Sequence, residues 1–245
     1  MYDHPRFLSS GDSCLVIEFS DCIEMDANAR LQDLRRRLAE IRVIGIRELV
    51  PTYRSLSIHH DPIKLPRAKL EAVANDALTG LGGGTREKRV LVIPVAYGGE
   101  FGPDMTNVAE HTKLGESEIV KRHAGRDYYC YMLGFTPGFG YLGGLDESLA
   151  TPRLETPRKL IPAGSVGIAG NQTGAYSIDS PGGWQLIGRT PLRLFDPGKA
   201  DHSTLMDAGD WIRFRSITKD EFEAVKRDVD DGTYAPERFL KRGGE

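Results

Sequence analysis

The sequence predicts an α+β protein of two parts, an N-terminal α+β unit followed by a β-barrel. Two observations support this prediction. In the first part of the 245-residue chain, runs with strand periodicity alternate with runs of helical periodicity. In the second part the apolar runs are short, and residues 134–189 hold 12 of the 28 glycines and five of the 14 prolines. Many short strands joined at Gly and Pro corners are typical of a closed or nearly closed barrel.

The N-terminal part shows strands and helices in the order β-α-β-β-α-β. Apolar side chains recur at three- and four-residue steps from Ala27 to Ile41, which predicts an amphipathic helix. The successive elements are a strand at residues 13–20, a helix at 25–41, two strands within 46–60 that turn near Pro51, a helix at 66–81 that ends at Gly82-Gly83-Gly84, and a strand at 89–97. Because this is the order of a ferredoxin-like split β-α-β unit, we expect a ferredoxin-like domain over residues 1–95.

The C-terminal part is predicted to form a β-barrel domain over residues 96–216 and a helical tail over residues 217–245. An aromatic strand begins at residue 127, and the helical period returns after Thr218. Further short strands are predicted at Val166–Ala169, Ala175–Ile178, Leu186–Ile187, Leu192–Phe195 and Trp211–Ser216.

Charge and cysteine content argue against several classes of function. The 32 Lys and Arg residues are balanced by 35 Asp and Glu residues, so the chain has no bulk electrostatic reason to bind nucleic acid or an anionic membrane. The sequence contains neither a run of 18 apolar residues nor the charge pattern of a signal peptide. Cys14, Cys22 and Cys130 lack the spacing of a disulfide framework or a zinc site. We therefore expect a cytoplasmic protein with no metal site of its own.

The segment between residues 134 and 191 carries long and specific motifs. They place aromatic and arginine side chains on rigid loops, where binding residues usually lie. The motifs are GFTPGFGYL (134–142), TPR (151–153), TPR (156–158), IPAGSVGIAGNQTG (161–174), SPGGW (180–184) and IGRTP (187–191). With these motifs the sequence resembles the family of the 5-oxoprolinase B subunit, also known as allophanate hydrolase subunit 1, which includes the sporulation-kinase inhibitor KipI.

This resemblance implies a fold, an activity and partners. The fold would be a ferredoxin-like domain followed by a cyclophilin-like β-barrel domain. The activity would be the ATP-dependent opening of 5-oxoproline to L-glutamate by a hydrolase that is active only as a complex. The partners would be a homologous carboxyltransferase-like subunit and a lactam-hydrolase-like third subunit. Because the chain has no Walker motif and no glycine-rich kinase loop, ATP with Mg²⁺ would bind at a site shared with the partner, and no covalently bound cofactor is expected.

Three arginines of the motif loops are candidate binding groups. Arg153 and Arg158 each follow a proline, and we expect them to clamp the carboxylate or phosphate of a substrate. The alternative is that they bond carbonyl groups of their own loops. Arg189, between Gly188 and Thr190, is a candidate catalytic residue that would stabilise charge in a pocket; its alternative role is a buried ion pair between strands.

Three further side chains of the motifs are candidate substrate-binding groups. Gln172 and Thr173 offer an amide and a hydroxyl suited to a lactam, and their alternative role is turn bonding before Gly174. Tyr176 is predicted to stack on a ring or to donate its hydroxyl, with a place in the core as its alternative.

His123 is the candidate general base, because an unperturbed imidazole titrates near neutral pH. Its alternative role is to cap the C-terminus of a helix. His111 lies twelve residues before it, unlike the three- or four-residue spacing of a metal-binding pair on one helix.

Two rival functions remain open from the sequence. The first is a binding module that inhibits a sporulation-type histidine kinase through an exposed aromatic patch that includes Trp184. The second is a subunit of an allophanate- or urea-derived amide hydrolase or carboxyltransferase. Prolyl isomerase activity would rest on fold analogy alone.

Overall fold

The computed structural model describes residues 1–81, 88–199 and 203–241. The chain divides into two compact units, Met1–Thr85 and Arg86–Glu245, and each unit has its own hydrophobic core. The three glycines predicted to end the second helix, Gly82-Gly83-Gly84, lie outside the described residues.

Within residues 1–81 the first unit forms a four-stranded antiparallel sheet and two helices. Its strands are β1 (Arg6–Ser9), β2 (Cys14–Glu18), β3 (Ile46–Pro51) and β4 (Ser55–His60), and its helices are α1 (Met25–Ile41) and α2 (Arg67–Leu78). The strand order is β1-β2-β4-β3. Elements β2 to α2 therefore follow the β-α-β-β-α order that the sequence predicted.

The last element of the predicted unit belongs elsewhere. Residues 89–97 were expected to complete this sheet, but Lys88–Tyr97 is a strand of the second unit, and β1 takes the outer position beside β2. The prediction was wrong because this strand is buried along most of its length, a pattern that indicates a strand covered on both faces but not the sheet that contains it. Strand β1 is short and mostly exposed, so its sequence carries a weak strand signal.

Helix α1 joins the sheet and helix α2 through its two faces. Its apolar stripe, which includes Leu31, Leu34 and Leu38, is fully buried in the core of the first unit, and each such leucine contributes about 1.5–3 kcal/mol to folding. From another face Arg37 donates to the carbonyl oxygens of Ala77, Thr79 and Gly80 at 3.0, 2.8 and 2.9 Å. These carbonyls lie at the C-terminal end of α2, where helical partners are lacking.

In residues 88–199 and 203–241 the second unit forms a closed barrel of seven strands. The strands of the unit are β5 (Lys88–Tyr97), β6 (Asp127–Leu133), β7 (Gly140–Gly143), β8 (Arg158–Ile161), β9 (Ser165–Ala169), β10 (Gln172–Ala175), β11 (Ser180–Gly182), β12 (Gln185–Arg189), β13 (Trp211–Ser216) and β14 (Arg238–Lys241). The ring runs β12-β9-β10-β7-β6-β13-β5 and closes between β5 and β12. Strands β8 and β11 pair with each other outside this ring, and β14 pairs with the start of β5. The predicted fold class, a ferredoxin-like α+β domain followed by a cyclophilin-like β-barrel, is confirmed.

Strand β5 closes the barrel by pairing with different strands along its length. It runs parallel to β13, and its end pairs antiparallel with β12 at Tyr97–Gly188 and Ala96–Arg189. A Cβ atom on Gly188 would lie 2.7 Å from Cγ1 of Val95 and 2.8 Å from the carbonyl oxygen of Ala96. The close approach of the two strands therefore requires glycine at this position.

Three helices of the described residues accompany the barrel, α3 (Met105–Thr112), α4 (Glu116–Ala124) and α5 (Lys219–Asp230). The strand predicted at Trp211–Ser216 and the helix predicted after Thr218 are confirmed. The strand expected at Ala175–Ile178 instead ends at Ala175. None of the helices in the described ranges is long and apolar enough to cross a membrane.

The prediction of a strand at Leu192–Phe195 was wrong. This segment is irregular and forms one isolated bridge in the described residues, between Phe195 and Thr204. Leu192 and Leu194 are buried in the barrel core, so their alternation reflects the packing of a loop rather than a strand.

Candidate functional site

The seven side chains predicted to form the site occupy different places in the second unit. They are His123 and Thr173 in the barrel interior, Tyr176, Arg153 and Arg158 at a group of aromatic rings, Arg189 in a groove beside helix α5, and Gln172 on strand β10. The structure therefore brings some of them together but does not gather all seven around one cavity.

His123 and Thr173 belong to a chain of hydrogen bonds inside the barrel. The Thr173 hydroxyl donates to the carbonyl oxygen of Gly167 at 3.0 Å, so it accepts a hydrogen bond from Nε2 of His123 at 2.7 Å. Nδ1 of His123 is then unprotonated and accepts from the Tyr97 hydroxyl at 2.8 Å. Every polar atom of this fully buried imidazole has a partner, as buried polar groups require.

The His123 imidazole is neutral at neutral pH. Burial, followed by the charge of Arg126, lowers the pKa of His123 to about 3. The ring also stacks on Phe214, with 4.8 Å between ring centroids. These contacts favour a role in holding the last turn of α4 against the barrel, and the general-base role of His123 stays a prediction.

Gln172 and Thr173 point in opposite directions. Thr173 faces the barrel interior, and adjacent side chains of a strand alternate between the two faces. Gln172 is therefore directed to the outer face of β10, where it is half-buried. The two side chains do not bind the same group in this structure.

Five aromatic rings of the motif loops form a cluster, which we call the aromatic cluster. Phe139 lies at its centre, with ring centroids between 5.4 and 5.6 Å from those of the other rings, namely Phe135, Tyr141, Tyr176 and Trp184. All four contacts are edge-to-face, the arrangement that the ring quadrupoles favour. Tyr176 and Trp184 are buried, which agrees with the alternative role predicted for Tyr176 in the core.

Phe135 is the exposed member of the aromatic cluster. Its side chain is 59% exposed, and its backbone has a φ of 63°, a left-handed conformation that is unusual for a bulky residue. The loop is held by a hydrogen bond of 3.2 Å between the hydroxyls of Thr136 and Ser177. A strained backbone of this kind costs about 1–3 kcal/mol and occurs preferentially at functional sites.

Arg153 and Arg158 lie within electrostatic range of Tyr176. Burial raises the pKa of Tyr176 to about 12, and the charges of both arginines oppose this rise. Arg158 is held by Asp104, with 2.7 Å between Nη2 and Oδ1, and the other carboxylate oxygen of Asp104 accepts the N–H of Leu186 at 2.7 Å. Arg153 is exposed, and no carboxylate of the described ranges pairs with it. It is therefore the arginine of this pair that is free to bind an anion.

Arg189 lines an open groove of about 330 Å³ between the loop that follows β12 and helix α5. Its Nε donates to the carbonyl oxygen of Ala163 at 3.1 Å, and none of the described carboxylates forms an ion pair with it. Two more cations, Arg193 and Lys226, line the same groove. The buried ion pair that was the alternative role of Arg189 is not formed.

Sequence reasoning missed three residues that shape these sites. Asp104 positions Arg158, and the signal for it was a Gly-Pro-Asp sequence immediately before a helix. Arg193 lies only four residues after Arg189, but Lys226 is on a distant helix, and only the packing of α5 brings it to the groove. In the described part of the chain, no group of three or more His, Cys, Asp or Glu side chains is arranged to hold a metal ion.

Residues 5–206 match a family model described as "Carboxyltransferase domain, subdomain C and D". The chain belongs to this family. It is 40% identical over 229 residues to a carboxyltransferase-domain relative, the 5-oxoprolinase B subunit of Bacillus subtilis (strain 168). That alignment spans 89% of this chain and 95% of the relative, so the resemblance noted from the motifs is confirmed.

Two other relatives extend the comparison of this carboxyltransferase-domain chain. The crystal structure of a conserved uncharacterized protein from Pyrococcus horikoshii is 43% identical in sequence and has a TM-score of 0.53, covering 89% of this chain and 100% of that chain. The urea amidolyase of Saccharomyces cerevisiae is 24% identical over 260 residues, which are 93% of this chain but 14% of that protein.

Proposed function

We propose that this chain is a subunit of a cytoplasmic, ATP-dependent 5-oxoprolinase that opens 5-oxoproline to L-glutamate. It would act with a homologous carboxyltransferase-like subunit and a lactam-hydrolase-like third subunit. The observation that carries the proposal is the 40% identity to a 5-oxoprolinase B subunit along 95% of that protein.

The reaction explains why ATP is needed. A lactam carbonyl is a poor electrophile, so water does not open the ring at neutral pH. Transfer of the γ-phosphoryl group of ATP to the amide oxygen releases ADP and leaves an activated carbon. Water then adds to this carbon, the C–N bond breaks as the nitrogen takes up a proton, and phosphate leaves. Catalysis of phosphoryl transfer depends mainly on positioning and on cationic groups near the phosphates.

The substrate-binding surface of this chain is proposed to be the aromatic cluster with Arg153. Arg153 is an exposed cation without a described carboxylate partner, and it lies within electrostatic range of Tyr176. A guanidinium binds a carboxylate through two parallel hydrogen bonds, and Phe135 offers an exposed ring for the face of a small lactam. Arg158, tied to Asp104, would hold the loop in place instead of binding substrate.

Co-expression of the chain with its two partners tests the function. The complex is expected to release glutamate from 5-oxoproline only when ATP and all three subunits are present. The absence of ATP-dependent glutamate release from the complete complex would contradict the proposal.

A pair of variants tests the substrate site. Arg153→Gln is expected to raise the KM for 5-oxoproline by at least about tenfold, because a charge-assisted hydrogen bond is lost. The matched control is Lys159→Gln, which removes an exposed cation from the neighbouring strand β8. Equal KM values for the two variants would show that Arg153 does not bind the substrate.

A second candidate function, part of a urea-derived amide hydrolase or carboxyltransferase, is favoured by the alignment with urea amidolyase over 93% of this chain. Allophanate and 5-oxoproline offered to the same complex separate the two candidates. Turnover of allophanate alone would support the second one. The kinase-inhibitor function stays a prediction, and binding of a histidine kinase that survives Arg153→Ala would favour it.

A further inference from the structure

The groove beside helix α5 combines features that the aromatic cluster lacks. We propose that this groove, and not the aromatic cluster, binds the phosphate chain of ATP with its Mg²⁺ ion. The inference rests on the proposed function, because it locates on this chain one of the two substrates of that reaction. It also separates Arg189 from Arg153 and Arg158, which the motifs had suggested as one cationic group.

Three cations converge on the groove. Arg189 donates only its Nε–H to a protein carbonyl, that of Ala163, which leaves the rest of the guanidinium available to a ligand. Arg193 is loosely held, since its contacts to Asp196 and Asp230 are 3.8 and 3.9 Å long. Lys226 completes the set from α5. A polyanion matches three cations, whereas the single free Arg153 at the aromatic cluster matches the one carboxylate of 5-oxoproline.

Two carboxylates of α5 also line the groove, and they decide between kinds of anion. Asp230 bonds to Lys226, and Glu223 is exposed at the groove. Such carboxylates repel a free carboxylate or phosphate. Mg²⁺, however, is commonly held by one or two carboxylates together with the phosphates of a nucleotide. The mixture of cations and carboxylates therefore suits a magnesium nucleotide better than a simple anion.

The walls of the groove supply room and a partly dry surface. Leu192, Phe222 and Val229 contribute apolar side chains beside the charged ones. Charge interactions strengthen where apolar walls exclude water. The volume of about 330 Å³ lies within the usual range for small-molecule sites, and the open side leaves space for the nucleoside.

The test is the affinity of the assembled complex for a fluorescent ATP analogue in the presence of Mg²⁺. Arg189→Gln and Arg193→Gln are each expected to weaken binding about tenfold, the effect of one lost charge-assisted contact. Lys226→Gln lies on the surface of a helix and is expected to weaken binding without disturbing the fold. Arg215→Gln is the matched control, because Arg215 is an exposed arginine paired with Glu237 outside the groove.

Competition identifies the ligand class. Magnesium tripolyphosphate is expected to displace the analogue, whereas 5-oxoproline and adenosine are not, and Arg153→Gln is expected to bind the analogue normally. The inference is overturned if the complex does not bind the analogue, if all three groove variants bind it as the control does, or if 5-oxoproline displaces it.

The outcome is independent of the proposed function. A complex that opens 5-oxoproline, with a KM for ATP unchanged in all three groove variants, overturns the groove site and leaves the function standing. A complex that binds the analogue in the groove but releases no glutamate from 5-oxoproline supports the site and overturns the function.

Discussion

At the scale of single residues, burial determines what each polar side chain can do. His123 has an ordinary residue type for a general base, yet the barrel keeps it neutral and bonds both of its nitrogens. Arg153 and Arg158 share a Thr-Pro-Arg sequence, yet one is exposed and the other is held by a buried carboxylate. The residue type therefore defines the possible chemistry, and the surroundings decide whether it is available.

The barrel is expected to lose stability in mild acid because of His123. In the unfolded chain this imidazole binds a proton below about pH 6.5, whereas in the folded chain its pKa is about 3. The contribution of His123 is fully present above pH 6.5 and is lost as the pH falls toward 3, with a slope of up to about 1.4 kcal/mol per pH unit. Urea unfolding followed by tryptophan fluorescence measures it, since both tryptophans, Trp184 and Trp211, lie in the second unit.

Two variants separate this effect from general acid denaturation. His123→Gln is expected to be less stable than the wild type at pH 7.5 but to lose stability more slowly between pH 6.5 and 4.5. The exposed His111→Gln is expected to keep the wild-type slope. Parallel curves for the wild type and His123→Gln would show that the imidazole is not buried as a neutral group.

Phe135 is expected to serve binding more than stability. Asn tolerates the left-handed backbone better than Phe, so relief of strain in Phe135→Asn offsets the loss of ring contacts, and unfolding is expected to change by less than about 1 kcal/mol. Phe139→Asn, at the buried centre of the aromatic cluster, is expected to cost about 3 kcal/mol or more. Denaturant unfolding of both variants measures this difference. A loss for Phe135→Asn as large as that for Phe139→Asn would contradict the assignment.

At the scale of elements, the barrel depends on the close approach of β5 and β12. Gly188→Ala is expected to destabilise the second unit by more than about 2 kcal/mol, because the new methyl group meets the backbone of the neighbouring strand. Gly183→Ala is the control, since a Cβ atom there has only ordinary contacts, the shortest at 3.6 Å. Thermal unfolding of both variants makes the comparison, and equal midpoints would refute the packing argument.

Helix α5 begins with a capping box that forms one side of the groove by positioning the helix. Thr218 accepts from the N–H of Glu221 at 3.2 Å, and the Glu221 carboxylate accepts from the N–H of Thr218 at 2.7 Å. Thr218→Ala is expected to cost about 1 kcal/mol, whereas Ser216→Ala, on an exposed side chain nearby, is expected to change little. Chemical denaturation measures both, and a neutral Thr218→Ala would show that the cap does not hold α5.

At the scale of the whole molecule, the second unit separates two kinds of binding surface. The aromatic cluster offers rings with one free cation, and the groove offers three cations with two carboxylates. A reaction that joins a small carboxylate-bearing lactam to a nucleotide needs one surface of each kind. Neither surface is an enclosed pocket, and both are therefore suited to completion by a partner subunit.

The isolated chain is expected to bind magnesium nucleotide weakly and to show no ATP turnover. Transfer of the phosphoryl group requires the lactam and the nucleotide to be held in line, which the complete complex would achieve. Measurement of phosphate release by the chain alone and by the complex tests this expectation. Turnover by the chain alone, at the rate of the complex, would contradict a shared site.

The sequence by itself determined the two-part α+β fold, the amphipathic helices, the barrel and the family. These features follow from local periodicity, from glycine and proline corners, and from long motifs, all of which lie along the chain. The error at residues 89–97 marks the limit of that information, because an apolar strand pairs equally well in either sheet until the long-range contacts form.

Only the tertiary structure decided which of the motif side chains are free to bind. Asp104 neutralises Arg158 from 54 residues away, and helix α5 brings Lys226 to Arg189. His123 became a core residue because Tyr97 and Thr173 reach it from two different strands. Desolvation and pairing act through space, so neighbours in the sequence do not reveal them.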